Sequence, residues 1–348
     1  MSKISTVNQV KEHNIALVRE VIHSSVEFTK HSIAQITGLS IATTNSILNL
    51  LCEAGEIVAV GNVSSTVGRP AAKYVYNRDF AHICCVFPSS AGSQRYLSYT
   101  VFDLLGNPVK QNQVWLEDVT YESFEELIGI LIQKDSSIKK VSIGIPGYYD
   151  NNHIHSCTMT ALNGCDLTGR LSKRFACEFM MENNMNAIAY GLYDARRAHG
   201  HTPAALVAVS FFEGSGPGSG IIIDGKIYLG KSNFAGEVVF LPYQDGNIYD
   251  LVKQGQESIV KSTAQVVCSY CAILNPETCV LTGENLSADL CRPILERCKR
   301  SIPEQHLPEL LYISNYNQYY QNGLFRIVPN RPEQPVPPQA QIKRGAVN

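Results

Sequence analysis

Residues 82–327 alternate apolar, β-branched runs with runs in which apolar residues recur every three or four positions. The first kind of run is typical of buried strands and the second of amphipathic helices, so this stretch predicts an α/β fold. A purely helical pattern occupies much of residues 11–76, and a tail over residues 328–348 has five prolines and little apolar content. The composition of the tail predicts disordered or polyproline-like structure.

Length and charge narrow the class of protein. A chain of 348 residues is longer than a single domain with one hydrophobic core usually is, so we expect two or three domains. No apolar run approaches the ~20 residues of a membrane span, and the first residues lack the apolar region of a signal peptide, so we expect a cytoplasmic protein with no membrane partner. The eleven cysteines are then interpreted as reduced thiols. A net charge of −2 argues against a protein that coats nucleic acid, but it allows one small DNA-binding module.

The helical segment has the pattern of three short helices. The spacing predicts helices over Asn14–His23, from Thr29 or Lys30 onward, and over Ile41–Ala54. Gly38 stands at the tight turn between the second and third helices, and Ser40 is a good N-cap for the third. The positions predicted to point inward are Ile33, Ala34 and Ile36 in the second helix, and Thr44, Ile47, Leu48 and Leu51 in the third.

Two strand-like pieces, EIVAV and AKYVY, follow around the polar loop GNVSSTVGRPA, which is typical of a wing. A winged helix-turn-helix places the third helix in a major groove, and a wing arginine such as Arg69 can enter a minor groove. The predicted DNA-binding residues are Lys30, Ser40, Ala42, Thr43, Asn45, Ser46, Asn49 and Arg69. A three-helix interaction domain without DNA is the alternative, because the third helix has no Lys or Arg and residues 1–76 hold six basic and five acidic side chains.

The order of these motifs resembles the ROK family (repressors, open reading frames and kinases). GRPAAKYVYN follows the helices, and GIPGYYD, Gly144–Asp150, follows a buried strand, as a similar Gly-x-Pro-Gly-x-x-Asp does in the family. The resemblance covers about residues 11–327 and is to the branch of sugar-responsive repressors. It implies a two-lobed, actin-like (ribonuclease-H-like) ATPase fold behind an N-terminal winged helix-turn-helix domain. The implied domains are 1–77 (DNA-binding), 78–155 (first α/β lobe), 156–327 (second α/β lobe) and 328–348 (disordered tail).

One segment distinguishes a kinase from a relative without that activity. The family pattern Glu-Asn-Asp-x-Asn-Ala corresponds here to Glu182–Ala187, in which the third position is Asn184. In the kinases the resemblance assigns this position to the aspartate that takes the proton from the attacking sugar hydroxyl. An amide cannot act as that base, although it can exchange hydrogen bonds with a sugar. Helix capping is the alternative role for both Asn183 and Asn184.

The resemblance also implies where a sugar would bind. The backbone turns close to the sugar pocket at Gly147, an asparagine of the next loop aligns with Asn163, and Glu237 matches an acid that binds sugar hydroxyls. The predicted ligand-binding residues are Gly147, Asn163, Asn183, Asn184 and Glu237. An ordinary Pro-Gly turn remains the alternative for the segment around Gly147.

Other parts of the kinase machinery are missing from the sequence. The first phosphate motif, Asp-x-Gly-Gly-Thr, corresponds to His82–Ser93, which has neither the acid nor the paired glycines. The glycine spacing of the kinases' phosphate-binding loop is kept over Glu213–Gly220, but Pro217 removes one amide donor. A tight turn is the alternative reason for these glycines. The family histidine that binds sugar and zinc is Phe240 here, and no cysteine stands between Cys177 and Cys268. We therefore expect no metal and interpret Cys268 and Cys271 as core residues of a helix.

Together these features predict a transcriptional regulator, a repressor, whose degenerate kinase body senses a sugar or sugar derivative without phosphorylating it. The expected partners are a double-stranded DNA operator, a small sugar or derivative and further copies of the chain in a homodimer or homotetramer. No cofactor and no catalytic residue are expected. The alternatives are an active sugar kinase and a protein-interaction scaffold with a dead ligand site. Because Phe240 replaces a polar contact, the ligand could also be a deoxy or modified sugar, or binding could be lost.

Overall fold

The computed structural model describes residues 7–23, 27–63, 71–212, 216–243, 248 and 254–328. Arg69, residues 213–215 and the predicted tail beyond Val328 lie outside these residues. Contacts divide the chain into two compact units. The first takes in residues up to His82 together with Phe102–Asn107, and the second begins at Ile83.

The first unit contains three helices and a three-stranded antiparallel sheet. Its sheet order is β1-β3-β2, and β3 pairs with both neighbours. The elements are α1 (Val7–His23), β1 (Phe28–Thr29), α2 (Lys30–Thr37), α3 (Ile41–Glu53), β2 (Ile57–Val63) and β3 (Ala71–Tyr76).

Local chemistry fixes the predicted turn between α2 and α3. Thr29 caps α2 in a reciprocal exchange with Ser32, whose backbone N–H donates to the Thr29 hydroxyl. Gly38 ends α2 with φ +72°, a conformation that costs glycine little. Ser40 caps α3 by accepting a hydrogen bond from the Thr43 N–H at 3.1 Å. The start of α2 at Lys30 and the cap at Ser40 confirm the predictions.

The core of this unit agrees with the predicted inward face of α3, all four of whose residues are buried. Ile36 is a correction, because it was predicted to point inward and is 64% exposed. In the eight-residue α2 the buried residues are Ile33 and Ala34. Two further differences concern helix ends: α1 begins at Val7 rather than Asn14, and α3 ends at Glu53, with Ala54 as its C-cap.

The second unit has two five-stranded sheets. The first sheet has the strand order β10-β7-β4-β5-β6, in which β10 and β7 are parallel. Its strands and the associated helices are β4 (His82–Ala91), β5 (Gln94–Phe102), β6 (Pro108–Leu116), α4 (Tyr121–Lys134), β7 (Ile138–Ile145), α5 (Leu167–Arg174) and β10 (Glu178–Asn183); a small hairpin adds β8 (Tyr148–Asp150) and β9 (His153–His155).

The second sheet has the order β13-β12-β11-β14-β15, with parallel pairs at β11–β14 and β14–β15. Its strands are β11 (Ala205–Phe211), β12 (Pro217–Ile223), β13 (Lys226–Ile227), β14 (Thr278–Thr282) and β15 (Glu309–Tyr312). The remaining α-helices among the described residues are α6 (Asn184–Ala198), α7 (Gln256–Ile273), α8 (Cys291–Cys298) and α9 (Asn317–Ile327). The first sheet includes Glu178–Asn183, which the predicted division assigned to the second lobe.

Each sheet has its own hydrophobic core. Phe124 and Leu131 of α4 pack in the core of the first sheet, as their helical spacing predicts. In the second sheet, Cys271 of α7 is buried in the core and Cys268 packs against it, which confirms the interpretation of both as core residues of a helix. None of the described helices is both long and apolar enough to cross a membrane.

Helices α6 and α9 pack closely against each other. Cβ atoms added at Gly191 of α6 and Gly323 of α9 would lie 2.0 Å from Tyr319 O and 1.8 Å from Ala187 O, respectively. The contact therefore requires glycine on both helices. Near its far end, the buried Asp194 and Arg326 form an ion pair at 2.9 Å.

Candidate functional site

The second unit contains a cleft of about 910 Å³. It lies where β4, β7 and β12 end or begin, beside the first turn of α6 and a 3₁₀ turn at Val238–Phe240. Four of the five predicted ligand-binding residues line it: Gly147, Asn183, Asn184 and Glu237. Loops at the ends of strands thus gather residues that are far apart in sequence, as is common for ligand sites in α/β folds.

Asn163 is the predicted residue that does not line this cleft. Its Oδ1 accepts from the Cys157 N–H at 2.9 Å, and its Nδ2 donates to the Cys157 carbonyl at 3.2 Å. It also lines a separate depression of about 420 Å³, beside Arg170. Asn163 therefore holds its own loop together.

Asn183 fixes the start of α6. Its Oδ1 accepts hydrogen bonds from the N–H groups of Met185 at 2.7 Å and Asn186 at 3.1 Å. Its Nδ2 donates to the Gly147 carbonyl at 2.8 Å. The capping alternative is thus confirmed for Asn183, and the same side chain ties α6 to the loop after β7.

Asn184 is the first residue of α6 and is half-buried in the cleft lining. Its side chain makes no hydrogen bond to any residue that the structure describes. Since Asn183 is the cap, the amide of Asn184 remains available to a ligand. It can donate and accept, but it cannot take up a proton at neutral pH.

Two carboxyl groups near α6 lie in contrasting surroundings. Glu182 is buried and accepts hydrogen bonds from Asn183 N at 2.8 Å and Asn186 Nδ2 at 2.9 Å. Burial raises its pKa, and these two donors oppose the rise. Glu237 is half-buried in the cleft lining, and burial raises the pKa of its carboxyl as well. The sequence pointed to Glu237 but gave no role to Glu182, whose buried hydrogen bonds brace the Asn183 turn.

Close packing explains why glycine stands at several positions of the predicted motifs. A Cβ on Gly220 would lie 2.1 Å from Met185 O, and one on Gly218 would lie 3.0 Å from Met185 Cγ. These glycines let β12 approach the first turn of α6, which supports the alternative that fold requirements keep them. Likewise, a Cβ on Gly144 would overlap the Tyr320 hydroxyl.

Charge in the cleft lining is predominantly acidic. Glu237 and Glu284 line it together with Arg95, whose guanidinium is paired with Asp118. The end of β4, where the resemblance would put the first phosphate motif, contributes serines, Ala91 and Gly92. Among the described residues no group of three His, Cys, Asp or Glu side chains is placed to hold a metal ion.

The predicted DNA-binding residues lie in the first unit. Ala42, Ser46 and Asn49 are exposed on α3, and Asn45 is half-buried with no hydrogen-bond partner for its Oδ1. Ser40 and Thr43 bond to each other at the helix start, and Lys30 is half-buried at the start of α2. The sequence did not predict the exposed Ile41 beside them.

Comparison with known proteins identifies a family domain within the chain. Residues 90–257 match the profile of the ROK family. These residues form a ROK family domain. The chain is 25% identical over 238 residues to the xylose repressor of Bacillus spizizenii, covering 66% of this chain and 60% of the relative, so the match spans less than two thirds of that protein. It is 23% identical over 360 aligned positions to the DNA-binding transcriptional dual regulator NagC of Escherichia coli, covering 85% and 87%. The same values hold for the N-acetylglucosamine repressor of Shigella flexneri.

Solved ROK structures share the fold. A ROK family transcriptional regulator, described as a homologue of the E. coli MLC protein, superposes with a TM-score of 0.64 at 14% identity, covering 91% of this chain and 96% of that one. A putative N-acetylmannosamine kinase from Listeria monocytogenes gives 0.56 at 12% identity, covering 70% and 97%. The second unit therefore has the actin-like, sugar-kinase type of ROK fold.

Proposed function

We propose that this ROK protein is a DNA-binding transcription regulator, a repressor, whose kinase-like body binds a sugar or sugar derivative without phosphorylating it. In this proposal residues 1–77 form a winged helix-turn-helix domain and residues 78–155 and 156–327 the two lobes. The observation that carries the proposal is Asn184. It stands at the start of α6 in the cleft, where the family resemblance assigns the catalytic base of the kinases, and it has no proton-accepting group.

The charges of the cleft support binding without phosphoryl transfer. Polyphosphates need cations and free amides, as well as acids that hold magnesium. Here the arginine of the described lining is already paired with Asp118, so no unpaired cation of that lining offsets Glu237 and Glu284 against phosphate oxygens. Gly218 and Gly220 are accounted for by their contact with Met185.

A sugar is the ligand that the remaining groups favour. The Glu237 carboxyl accepts hydrogen bonds, and the Asn184 amide both donates and accepts, which suits the hydroxyls of a neutral sugar. The names of the relatives point to xylose and N-acetylglucosamine as the first sugars to test.

The first unit supports DNA binding through α3. A helix capped by Ser40 and exposing Ala42, Ser46 and Asn49 can approach base edges closely, and Asn side chains pair well with adenine. Since α3 has no Lys or Arg, phosphate contacts must come from neighbouring elements, including Lys30. Two copies of the chain on paired half-sites would supply the affinity that one copy lacks.

Sugar control of DNA binding then follows from linkage. A sugar that binds better to one conformation of the protein shifts the population toward it. If that conformation binds DNA less well, the sugar lowers DNA affinity by the same factor by which DNA lowers sugar affinity.

The test is a selection of genomic DNA fragments with the purified protein at fixed salt, followed by competition with xylose, N-acetylglucosamine and glucose. We expect a paired site to be enriched and one sugar to release it. Enrichment that no sugar alters would contradict the sensing part of the proposal. No enrichment would contradict the regulator and favour a protein-interaction scaffold. Turnover of ATP with any of these sugars would instead identify an active kinase.

A further inference from the structure

Four aromatic rings form a continuous row beside the cleft. We call His155, Tyr148, Phe234 and Phe240 the aromatic row. The ring centroid of Tyr148 lies 5.4 Å from the ring centroids of both His155 and Phe234. The ring centroids of Phe234 and Phe240 are 5.1 Å apart. The row therefore connects the β8–β9 hairpin to the 3₁₀ turn that lines the cleft.

Backbone hydrogen bonds hold the row next to the cleft carboxyl. The Glu237 N–H donates to the Phe234 carbonyl at 3.3 Å, and the Phe240 N–H donates to the Glu237 carbonyl at 3.1 Å. Asn233 Nδ2 donates to the Tyr149 carbonyl at 3.0 Å, which ties this segment to β8. The acid and the two phenylalanines thus have fixed positions on one short stretch of chain.

Much of this aromatic surface is open to solvent. Phe240 is 60% exposed although it lines the cleft, and Phe234 is 40% exposed. When a ligand covers apolar surface next to a binding pocket, the free energy of binding becomes more favourable. An aromatic group on the ligand adds offset or edge-to-face contacts with the ring. A ligand that fits has one end rich in hydroxyls for Asn184 and Glu237 and an aromatic end for Phe240.

We propose that the cleft selects glycosides that carry an aromatic substituent, with the sugar at Asn184 and Glu237 and the aromatic group on Phe240. This inference rests on the proposed function, since it extends the sugar site. It adds that the preferred ligand is larger than a free monosaccharide and carries no negative charge, because Glu237 and Glu284 line the cleft and its arginine is paired.

The test uses matched pairs of ligands. Isothermal titration calorimetry on the full chain compares methyl and 4-nitrophenyl glycosides of xylose, glucose and N-acetylglucosamine. For the sugar that binds, we expect the nitrophenyl form to bind about tenfold more tightly than the methyl form. Phe240→Ala should reduce this ratio to within about twofold, whereas Phe240→Tyr, which keeps the ring, should retain it.

Tyr228→Ala provides the control, because Tyr228 is an exposed aromatic residue of the same unit that does not line the cleft. Its ratio should equal that of the wild type. Equal affinities for the two glycosides, or a preference that survives Phe240→Ala in a protein with unchanged thermal unfolding, would overturn the inference and leave sugar sensing intact. If no glycoside of either kind binds, sugar sensing itself fails.

Discussion

Two adjacent asparagines at the start of α6 have different tasks. Asn183 uses both atoms of its amide within the protein, whereas Asn184 uses neither with the described residues. Sequence alone allowed capping by either, because both residue types and both positions suit a helix start. The backbone decides: Asn183 is extended, with φ −62° and ψ 141°, so it is the cap and Asn184 is the first helical residue.

This difference leads to a paired prediction. Asn183→Ala should lower the free energy of unfolding by about 1–2 kcal/mol, because it removes a cap and the bond to Gly147. Asn184→Ala should change it by less than about 0.5 kcal/mol, while weakening sugar binding. Urea unfolding and calorimetry on the two variants check both parts. Equal loss of stability would contradict the division of tasks.

Glu237 leads to a prediction about pH. Since burial raises its pKa, the folded protein holds this proton more tightly than the unfolded chain does. Its contribution to stability is therefore fully present below the unfolded pKa and is lost as pH rises through the higher folded pKa. Glu237→Gln removes this loss, so the variant should be more stable than the wild type at pH 7.

The difference in unfolding free energy should shrink toward zero near pH 4, where Glu237 is protonated in the wild type too. Urea titrations at both pH values measure it. Glu182, whose pKa is also raised, is present in both proteins and cancels. A variant that is less stable at pH 7 would indicate that the carboxylate makes a stabilising contact.

The family resemblance pointed to four residues of the cleft lining but not to the internal connections of the site. Gly147, Asn183 and Asn184 stand at or just after strand ends, whereas Glu237 precedes the 3₁₀ turn at Val238–Phe240. The resemblance also pointed to Asn163, yet its amide bonds to Cys157, and no pattern in one sequence encodes that exchange.

At the scale of elements, helix caps were predictable and packed faces less so. Thr29, Gly38 and Ser40 act within four residues of chain, so their roles follow from local chemistry. Ile36 has a suitable spacing but lies exposed, because periodicity tells which residues share a face and not how much of it the neighbours cover. The two-residue strand β1 gives no sequence signal and exists through its pairing with β3.

The contact of α6 with α9 can be tested with one methyl group. Gly323→Ala should cost about 2–3 kcal/mol, because the new Cβ would lie 1.8 Å from Ala187 O and the helices must separate. Gly129→Ala on α4 is the matched control. Its Cβ would lie 3.4 Å from the Phe175 ring, an ordinary contact, so alanine should be neutral or stabilise by up to about 1 kcal/mol. Thermal and urea unfolding distinguish the two variants.

The proposed recognition helix leads to a prediction for DNA. Asn49→Ala should reduce discrimination between the selected operator and a scrambled duplex by about 1–3 kcal/mol, because its exposed amide is suited to a base edge. Binding to the scrambled duplex should change little. Gln35→Ala, an exposed amide on α2, is the control. Equal losses on both duplexes would indicate that Asn49 contacts the backbone.

For the whole molecule, the few cations of the first unit should set the salt dependence of the proposed DNA binding. Lys73 is already paired with Glu27, so a phosphate must displace that carboxylate. Lys30→Gln should reduce the slope of log affinity against log salt by about one for each bound copy, and Lys73→Gln by less. Fluorescence anisotropy at four salt concentrations measures both slopes. A larger effect of Lys73 would contradict this assignment.

The contact between β12 and α6 also bears on how such chains are recognised. Gly218 and Gly220 stand in what resembles a nucleotide-binding loop, yet the Met185 carbonyl leaves no room for a side chain at Gly220, and the Met185 side chain lies close to Gly218. Architecture alone would therefore preserve this spacing in a chain that does not use ATP. Genome surveys that infer ATP use from glycine periodicity would count such a chain as a kinase, whereas scoring the residue at the position of Asn184 would test that assignment.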